Sequence, residues 1–125
     1  MEHYELTGDI IKAAVKVHKA IGAGYKESVY QKALAISLQE HNIAFDREKE
    51  YPIFYRKEKV GYYKADFLIQ DKVIVELKAV FTIEMLHVAQ TINYLKVANK
   101  PIGLILNFGQ SPLEVKRVHN RAFIP

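Results

Sequence analysis

The spacing of apolar residues changes twice along the chain, and these changes constrain the fold more than any other sequence feature. Up to about residue 40 the apolar residues recur at helical intervals, whereas from about residue 45 to 80 they alternate with polar ones. A second helical pattern then precedes one short, uninterrupted apolar run. Periods near 3.6 and of two are typical of amphipathic helices and of strands, respectively. The sequence therefore predicts the order helix-helix-strand-strand-strand-helix-strand.

Three helices follow from this pattern. The first is expected to begin at a cap formed by Thr7 or Gly8 and to end near Ile21. The second is predicted over residues 27–39 and the third over residues 83–98. Each has an apolar stripe that can pack against the rest of the protein.

The alternating segment predicts an antiparallel meander of three strands. A charged turn at residues 56–59 and a tight turn at residues 70–72 separate the strands. The run at residues 102–107 is apolar throughout, as expected of a strand buried on both faces, and residues 115–118 allow a last edge strand. A meander followed by a crossover helix and another strand gives a mixed α/β fold, with residues 1–125 forming one domain.

The absence of cysteine limits the available chemistry. Any metal must be held by oxygen or histidine ligands, which favour Mg²⁺ or Mn²⁺. With 18 Lys and Arg against 14 Asp and Glu, the net charge of +4 permits a polyanionic partner without requiring one. No apolar run approaches the ~20 residues of a membrane span and no signal-peptide pattern opens the chain, so we expect a cytoplasmic protein with no membrane partner.

Three residues on the second and third strands form the candidate catalytic centre. Glu76 and Lys78 share one face of their strand, and Asp66 lies across from Glu76 if the intervening turn is centred on Asp71. A divalent cation offsets the cost of burying two like charges together. Bound Mg²⁺ would activate a water molecule, and Lys78 would orient that water or stabilise charge on a phosphate. The alternative is an ordinary solvated strand face, on which Glu and Lys are common.

Two helical residues could complete this centre. Glu27 is either a first-turn acid favoured by the helix dipole or a third carboxylate facing the metal. Gln90 interrupts an apolar stripe, and its amide needs partners, either backbone groups or a metal-bound water or phosphate oxygen. The stripe that Gln90 interrupts consists of Ile83, Leu86, Tyr94 and Val97.

The remaining candidates are weaker. His18 lies beside the apolar face of the first helix, and His87 shares the stripe of Gln90. Together with Tyr30 they are candidates for phosphate contact or site support, although a structural role is commoner for such residues. No Walker-type phosphate loop or dinucleotide fingerprint occurs in the sequence.

Several blocks of the sequence resemble a family of small bacterial and archaeal proteins named after the signature GxxExxY. Residues 24–30, GYKESVY, match the signature itself. The later blocks of the family are matched in the same order at residues 65–67, 75–79, 89–95 and 106–109. That family is placed in the PD-(D/E)XK nuclease superfamily, although alanine replaces the proline of the superfamily name at residue 65 in this chain.

The resemblance implies a restriction-endonuclease-like α/β core, a central mixed four-stranded sheet flanked by helices in the order ααβββαβ. It further implies a magnesium-dependent nuclease acting on DNA or RNA, of the RecB-like or lambda-exonuclease-like branch, whose Q-x-x-x-Y motif is similar to Gln90 and Tyr94. The residues implied to surround the metal are Glu27, Asp66 and Glu76, with Lys78 as the catalytic lysine and Gln90 and Tyr94 as further site residues.

Two other functions compete with the nuclease. The small size of the chain suits a binding or regulatory module that keeps the nuclease fold without turnover. An oligomeric scaffold, such as a homodimer, would rest on an aromatic-rich hairpin that is more often plain sheet packing. The residues of that hairpin are Tyr51, Ile53, Tyr55, Tyr62 and Tyr63.

Overall fold

A computed structural model describes residues 3–125 as three helices and one five-stranded mixed sheet. The strands lie in the order β1-β2-β3-β4-β5, with β3 and β4 parallel and the other neighbours antiparallel. The predicted element order is confirmed, and the allowed edge strand is formed, so the sheet has five strands rather than four. The elements are α1 Tyr4–Ile21, α2 Glu27–Glu40, β1 Phe45–Tyr55, β2 Glu58–Ile69, β3 Val73–Lys78, α3 Met85–Ala98, β4 Ile102–Asn107 and β5 Glu114–His119.

Two predicted helix starts were wrong. α1 begins at Tyr4, and the hydroxyl of Thr7 donates to the carbonyl of Tyr4 within the first turn (3.1 Å) instead of capping the helix. α3 begins at Met85 rather than at Ile83, because the backbone N–H of Ile83 donates to the carboxylate of Glu114 on β5 (2.8 Å). Both displacements come from hydrogen bonds that the apolar pattern does not encode.

The sheet separates two apolar clusters. α1 and α2 cover one side, where Tyr30, Leu34, Phe67 and Phe108 are fully buried. α3 covers the other side, with a smaller cluster that includes Ile74 and the partly buried Tyr94. Glu76 belongs to the α3 side, because side chains alternate along β3 and Ile74 packs there.

The stripe predicted for α3 was only partly right. The fully or nearly buried residues of this helix are Thr91 and Leu95, whereas Leu86 is largely exposed. Gln90 therefore lies at the border of the buried face, half-buried rather than enclosed. No helix within the described residues 3–125 is long and apolar enough to cross a membrane.

An irregularity in β1 changes which side of the sheet the side chains of β2 face. Glu48 lies opposite Asp66, between the pairs Arg47–Phe67 and Lys49–Ala65, and has a left-handed φ of 53°. In a regular strand the side chains of residues 65 and 68 would face opposite sides of the sheet. Here Ala65 and Leu68 belong to the same cluster on the α3 side, together with Tyr63. The distortion therefore lets Tyr63 and Asp66, three positions apart, both reach Glu76.

Candidate functional site

The carboxylates of Asp66 and Glu76 lie where β2 separates from β3. The last backbone pair between these strands is Phe67–Val75. Beyond it, the N–H of Leu77 donates to Oδ2 of Asp66 (2.8 Å), and the N–H of Asp66 donates to Oε2 of Glu76 (3.3 Å). This agrees with the register predicted from a turn centred on Asp71. The two carboxylates therefore take the place of the next ladder hydrogen bonds and lie side by side.

Glu76 is the more deeply buried of the two, with 8% of its surface exposed. Burial, together with the neighbouring charge of Asp66, raises the pKa of Glu76 to about 8. The hydroxyl of Tyr63 donates to Oε2 of Glu76 in a short hydrogen bond and partly opposes that rise. Oε1 of Glu76 has no hydrogen-bond partner among residues 3–125, so this oxygen is free to bind a cation.

Asp66 is fixed from the opposite direction by α2. Nε2 of Gln31 donates to Oδ1 of Asp66 (3.0 Å), and the guanidinium of Arg47 donates to Oε1 of Gln31 (2.9 Å). Burial raises the pKa of Asp66, while its hydrogen bonds with Leu77 and Gln31 oppose the rise. The hydrogen bonds from Arg47 to Gln31 and from Gln31 to Asp66 connect residues that are far apart in sequence. Sequence analysis therefore did not identify Gln31 as a site residue, and it did not identify Tyr63 either.

Lys78 and Glu27 face the same pair of carboxylates. The charge of Lys78 lowers the pKa of Glu27, Asp66 and Glu76, although burial outweighs it in each case. Burial raises the pKa of Glu27, and the charge of Asp66 adds to that rise. The charge of Lys78 therefore acts on all three carboxylates, although Lys78 forms no ion pair with any of them.

The three carboxylates are not gathered into a closed metal cage. Within residues 3–125 no group of three or more Asp, Glu or His side chains is placed to hold a metal ion. Asp66 and Glu76 form the compact pair, while Glu27 lies further out and is largely exposed. A site with two protein carboxylates suits Mg²⁺, which keeps several water molecules and often takes substrate phosphate as a further ligand.

Of the predicted residues on α3, Tyr94 contacts the centre through Tyr63. Tyr94 stacks on Tyr63, with ring centroids 4.0 Å apart, and thereby fixes the tyrosine that bonds to Glu76. Gln90 makes no side-chain hydrogen bond within residues 3–125. Nδ1 of His87 accepts a hydrogen bond from the N–H of Glu84 (2.9 Å) as part of the capping box at the start of α3.

Tyr30 and His18 lie in the core on the α1 and α2 side. The hydroxyl of Tyr30 donates to the carbonyl of Gly22 (2.6 Å), and the ring stacks on Phe108 with centroids 4.5 Å apart. His18 also packs on Phe108, and its Nε2 is buried without a partner among residues 3–125. Both residues brace the segment after β4, and neither reaches the carboxylate pair through a hydrogen bond.

The segment after Lys78 is clamped in place by the end of β4. Oδ1 of Asn107 accepts from the N–H of Val80 (3.0 Å), and Nδ2 of Asn107 donates to the carbonyl of Val80 (3.0 Å). Gly109 passes so close that an added Cβ would lie 2.6 Å from the nitrogen of Val80. The carbonyl of Lys78 accepts from the N–H of Phe108 (2.8 Å). These contacts hold the backbone from which Lys78 projects.

The fold and the site define a mixed α/β domain whose central hairpin carries two adjacent carboxylates and a lysine. A family model for the PD-(D/E)XK nuclease superfamily matches residues 4–118. The chain belongs to this superfamily, whose members are generally nucleases.

Among solved structures, that of SSO0001 is similar to this chain, with a TM-score of 0.56 and 16% sequence identity. The similarity covers 94% of this chain and 60% of SSO0001, so the chain spans about 60% of the length of that protein. At this identity the likeness concerns the fold alone. No curated protein matches the sequence.

Proposed function

We propose that this protein is a divalent-metal-dependent nuclease that hydrolyses phosphodiester bonds of DNA or RNA. The observation that carries the proposal is the adjacent pair Asp66 and Glu76, with the charge of Lys78 reaching both carboxylates. Such a pair is costly to bury without a cation, and neither partner is neutralised by an ion pair within residues 3–125.

The donor set fits a hard divalent cation. Oδ1 and Oδ2 of Asp66 and the free Oε1 of Glu76 are the oxygens available for Mg²⁺ or Mn²⁺, with Glu27 positioned to contribute through a water molecule. When bound, the ion supplies a water of lowered pKa and polarises a phosphate oxygen. No sulfur ligand competes, since the chain has no cysteine.

The protein's own groups have distinct roles in this proposal. The ammonium of Lys78 stabilises negative charge on the phosphate and orients the attacking water. Tyr63 and Gln31 orient Glu76 and Asp66 and keep each carboxylate in one rotamer. The unbonded amide of Gln90 faces the substrate phosphate, and Tyr94 supports Tyr63. These are positioning roles, apart from that of Lys78.

The proposal also covers the family, the domain organisation, the location and the oligomeric state of the protein. Residues 24–30 and the later blocks support placement in the GxxExxY family, and Gln90 with Tyr94 supports its RecB-like or lambda-exonuclease-like affinity. We further propose one domain over residues 1–125 and a cytoplasmic location. A homodimer through the aromatic hairpin stays a prediction: Tyr63 is buried under α3 within the chain, whereas Tyr55 and Tyr62 are exposed.

The test is a cleavage assay with single- and double-stranded DNA and RNA, with Mg²⁺, Mn²⁺ or a chelator. Wild-type protein is expected to cleave at least one of these substrates only with metal. Asp66→Ala, Glu76→Ala and Lys78→Ala are each expected to lose cleavage while keeping the circular dichroism spectrum of the wild type.

Asp71→Ala provides the matched control. Asp71 is a carboxylate on the same hairpin, but it is exposed and paired with Lys100 (3.0 Å) away from the site. Its loss should leave cleavage unchanged. Robust cleavage by folded Glu76→Ala would contradict the proposal, whereas salt-dependent binding without cleavage under every metal would favour the non-catalytic module.

A further inference from the structure

The β1–β2 hairpin extends beyond the rest of the sheet as an arm, defined here as residues 54–62. β2 pairs with β3 only through residues 67–69, so the arm has no partner strand other than its own two halves. Three aromatic side chains on it are more than half exposed: Phe54 (60%), Tyr55 (63%) and Tyr62 (56%). Three large aromatic side chains left in water on one short hairpin are typical of a binding surface.

The arm is also strongly basic. Arg56, Lys57 and Lys59 lie at its tip, where Glu58 is the one acidic residue. The guanidinium of Arg56 lies 5.3 Å from the ring centre of Tyr55, and the ammonium of Lys59 lies 5.8 Å from that of Tyr62. Cations and aromatic faces are thus presented together, as polyanions with planar bases require.

The turn of the arm is not built for stability. Tyr55 pairs with Glu58, so Arg56 and Lys57 form a two-residue loop, and both have left-handed φ values of 49° and 68°. Such loops strongly favour Asn-Gly or Asp-Gly, and a left-handed φ is unfavourable for a residue other than glycine. Two long cations occupy positions that the backbone disfavours, which indicates that their charge has a function.

We propose that the arm binds a single-stranded segment of the nucleic-acid substrate. Phosphates lie on Arg56, Lys57 and Lys59 at the tip, and bases stack on Tyr55 on one face of the hairpin and on Tyr62 on the other. The inference rests on the proposed nuclease function and adds the form of substrate. Bases in a duplex already stack on each other, whereas unpaired bases have free faces for tyrosine rings. β2 runs directly from Tyr62 to Asp66, about 13 Å at ~3.3 Å per residue, so the arm is joined to the carboxylate pair by one short stretch of strand.

The test measures binding in the presence of EDTA, so that cleavage plays no part. Fluorescence anisotropy is recorded with labelled oligo-dT, labelled oligo-U and a labelled DNA duplex. Wild-type protein is expected to bind one or both single strands at least about 10-fold more tightly than the duplex. Tyr55→Ala and Tyr62→Ala should each weaken single-strand binding by about 5- to 100-fold, because stacking on an aromatic ring contributes ~1–3 kcal/mol per base.

Two further variants separate binding from folding. Tyr4→Ala is the matched control, since Tyr4 is a half-exposed tyrosine with its own cation contact, 5.0 Å from Arg117, on α1. It should leave binding unchanged. The double variant Arg56→Asn with Lys57→Gly places residues that tolerate a left-handed φ in the turn, so its melting temperature should equal or exceed that of the wild type. The slope of log K for oligonucleotide binding against log salt concentration should nevertheless decrease in magnitude by up to ~1.4, because two phosphate contacts are lost.

The outcomes distinguish this inference from the nuclease proposal. Single-strand binding that depends on Tyr55 and Tyr62 supports the arm even if no metal produces cleavage. Unchanged binding by both tyrosine variants, or tighter binding to the duplex, would overturn the arm, even if Asp66-dependent cleavage is observed. Concentration-dependent dimerisation lost in Tyr62→Ala, with oligonucleotide affinity unaffected, would also overturn it.

Discussion

The two sides of the sheet bury different kinds of side chain. The α1 and α2 side buries an apolar cluster, and a polar group such as the hydroxyl of Ser37 donates to the carbonyl of Ala13 (2.8 Å). The α3 side buries Glu76, the one buried carboxylate within residues 3–125, beside Asp66. The apolar cluster of the first side contributes stability, and Glu27 and Gln31 of α2 act on the site from there. The second side, in contrast, loses stability because it buries a carboxylate beside another charged group.

The sign of this loss follows from the pKa of Glu76, which is raised from 4.5 to about 8. A carboxyl group whose pKa is higher in the folded state binds its proton more tightly there than in the unfolded chain. Its contribution to the free energy of unfolding is therefore fully present below pH 4.5 and is lost as the pH rises to about 8. Without metal, the site is a source of instability at neutral pH.

The largest expected effect is on catalysis at the α3 side. Lys78→Met keeps the length of the side chain but removes the charge, and we expect kcat to fall by about 10³-fold, as for the loss of one preorganised charge-stabilising group. Lys72→Met makes the same change on the exposed turn of the same hairpin and should leave kcat unchanged. Equal activity of both variants would remove Lys78 from the catalytic centre.

The largest effect on stability is expected on the opposite side of the sheet. Leu104 on β4 is fully buried in the α1 and α2 cluster, and Leu104→Ala should lower the free energy of unfolding by about 2–5 kcal/mol. The rate of cleavage per folded molecule should be retained. Ile36→Ala, on the exposed face of α2, should change stability by less than about 0.5 kcal/mol in urea unfolding. A catalytic loss in Leu104→Ala at full folding would contradict the division between the sides.

Gly109 tests the clamp that holds the backbone after Lys78. In Gly109→Ala the new methyl group would collide with the backbone of Val80, and we expect a loss of about 1–3 kcal/mol in stability, as for other overpacked sites. Cleavage should fall as well, because the backbone that carries Lys78 must shift. Gly61→Ala, where nothing lies within 4 Å of an added Cβ, is the control. Similar melting temperatures for the two variants would show that the clamp is not tight.

A pair of tyrosines gives the smallest and most discriminating effect. Tyr63 and Tyr51 stack on each other, with centroids 6.0 Å apart, but Tyr63 bonds to Glu76 whereas the buried hydroxyl of Tyr51 has no partner within residues 3–125. Tyr63→Phe should lower metal affinity and kcat several-fold. Tyr51→Phe should leave both unchanged and stabilise the protein by about 1 kcal/mol, because an unsatisfied buried group is removed. If Tyr51→Phe lowered metal affinity and kcat while Tyr63→Phe left both unchanged, the hydroxyl of Tyr63 would not orient Glu76.

The sequence predicted the fold better than the details of the site. The periodicity and the turn at Asp71 were sufficient for the order of elements along the chain and for the placement of Asp66 beside Glu76, because both follow from local spacing. Gln31 and Tyr63 were missed as site residues, since each acts through a contact with a residue on another element. Tyr63 was instead named as part of an aromatic-rich hairpin that could mediate oligomerisation, with plain sheet packing as the commoner role.

The irregularity at Glu48 could not be predicted from the sequence either. Its left-handed φ occurs within a run of charged residues that contains no glycine or proline, so no turn signal marks it. The distortion nevertheless decides that Tyr63 faces Glu76. The helix starts at Tyr4 and Met85 were mispredicted for a related reason, because hydrogen bonds of Thr7 and Glu114 set them.

The most direct test of the account is thermal unfolding of wild-type protein and Glu76→Gln at pH 8, in EDTA and in Mn²⁺. In EDTA, Glu76→Gln is expected to melt at a higher temperature than the wild type, and the difference should shrink at pH 4.5, where the wild-type carboxyl group is protonated. Mn²⁺ should raise the melting temperature of the wild type and not that of Glu76→Gln. A lower melting temperature for Glu76→Gln in EDTA, or an equal Mn²⁺ shift for both proteins, would contradict the claim that this buried carboxylate is kept for binding metal.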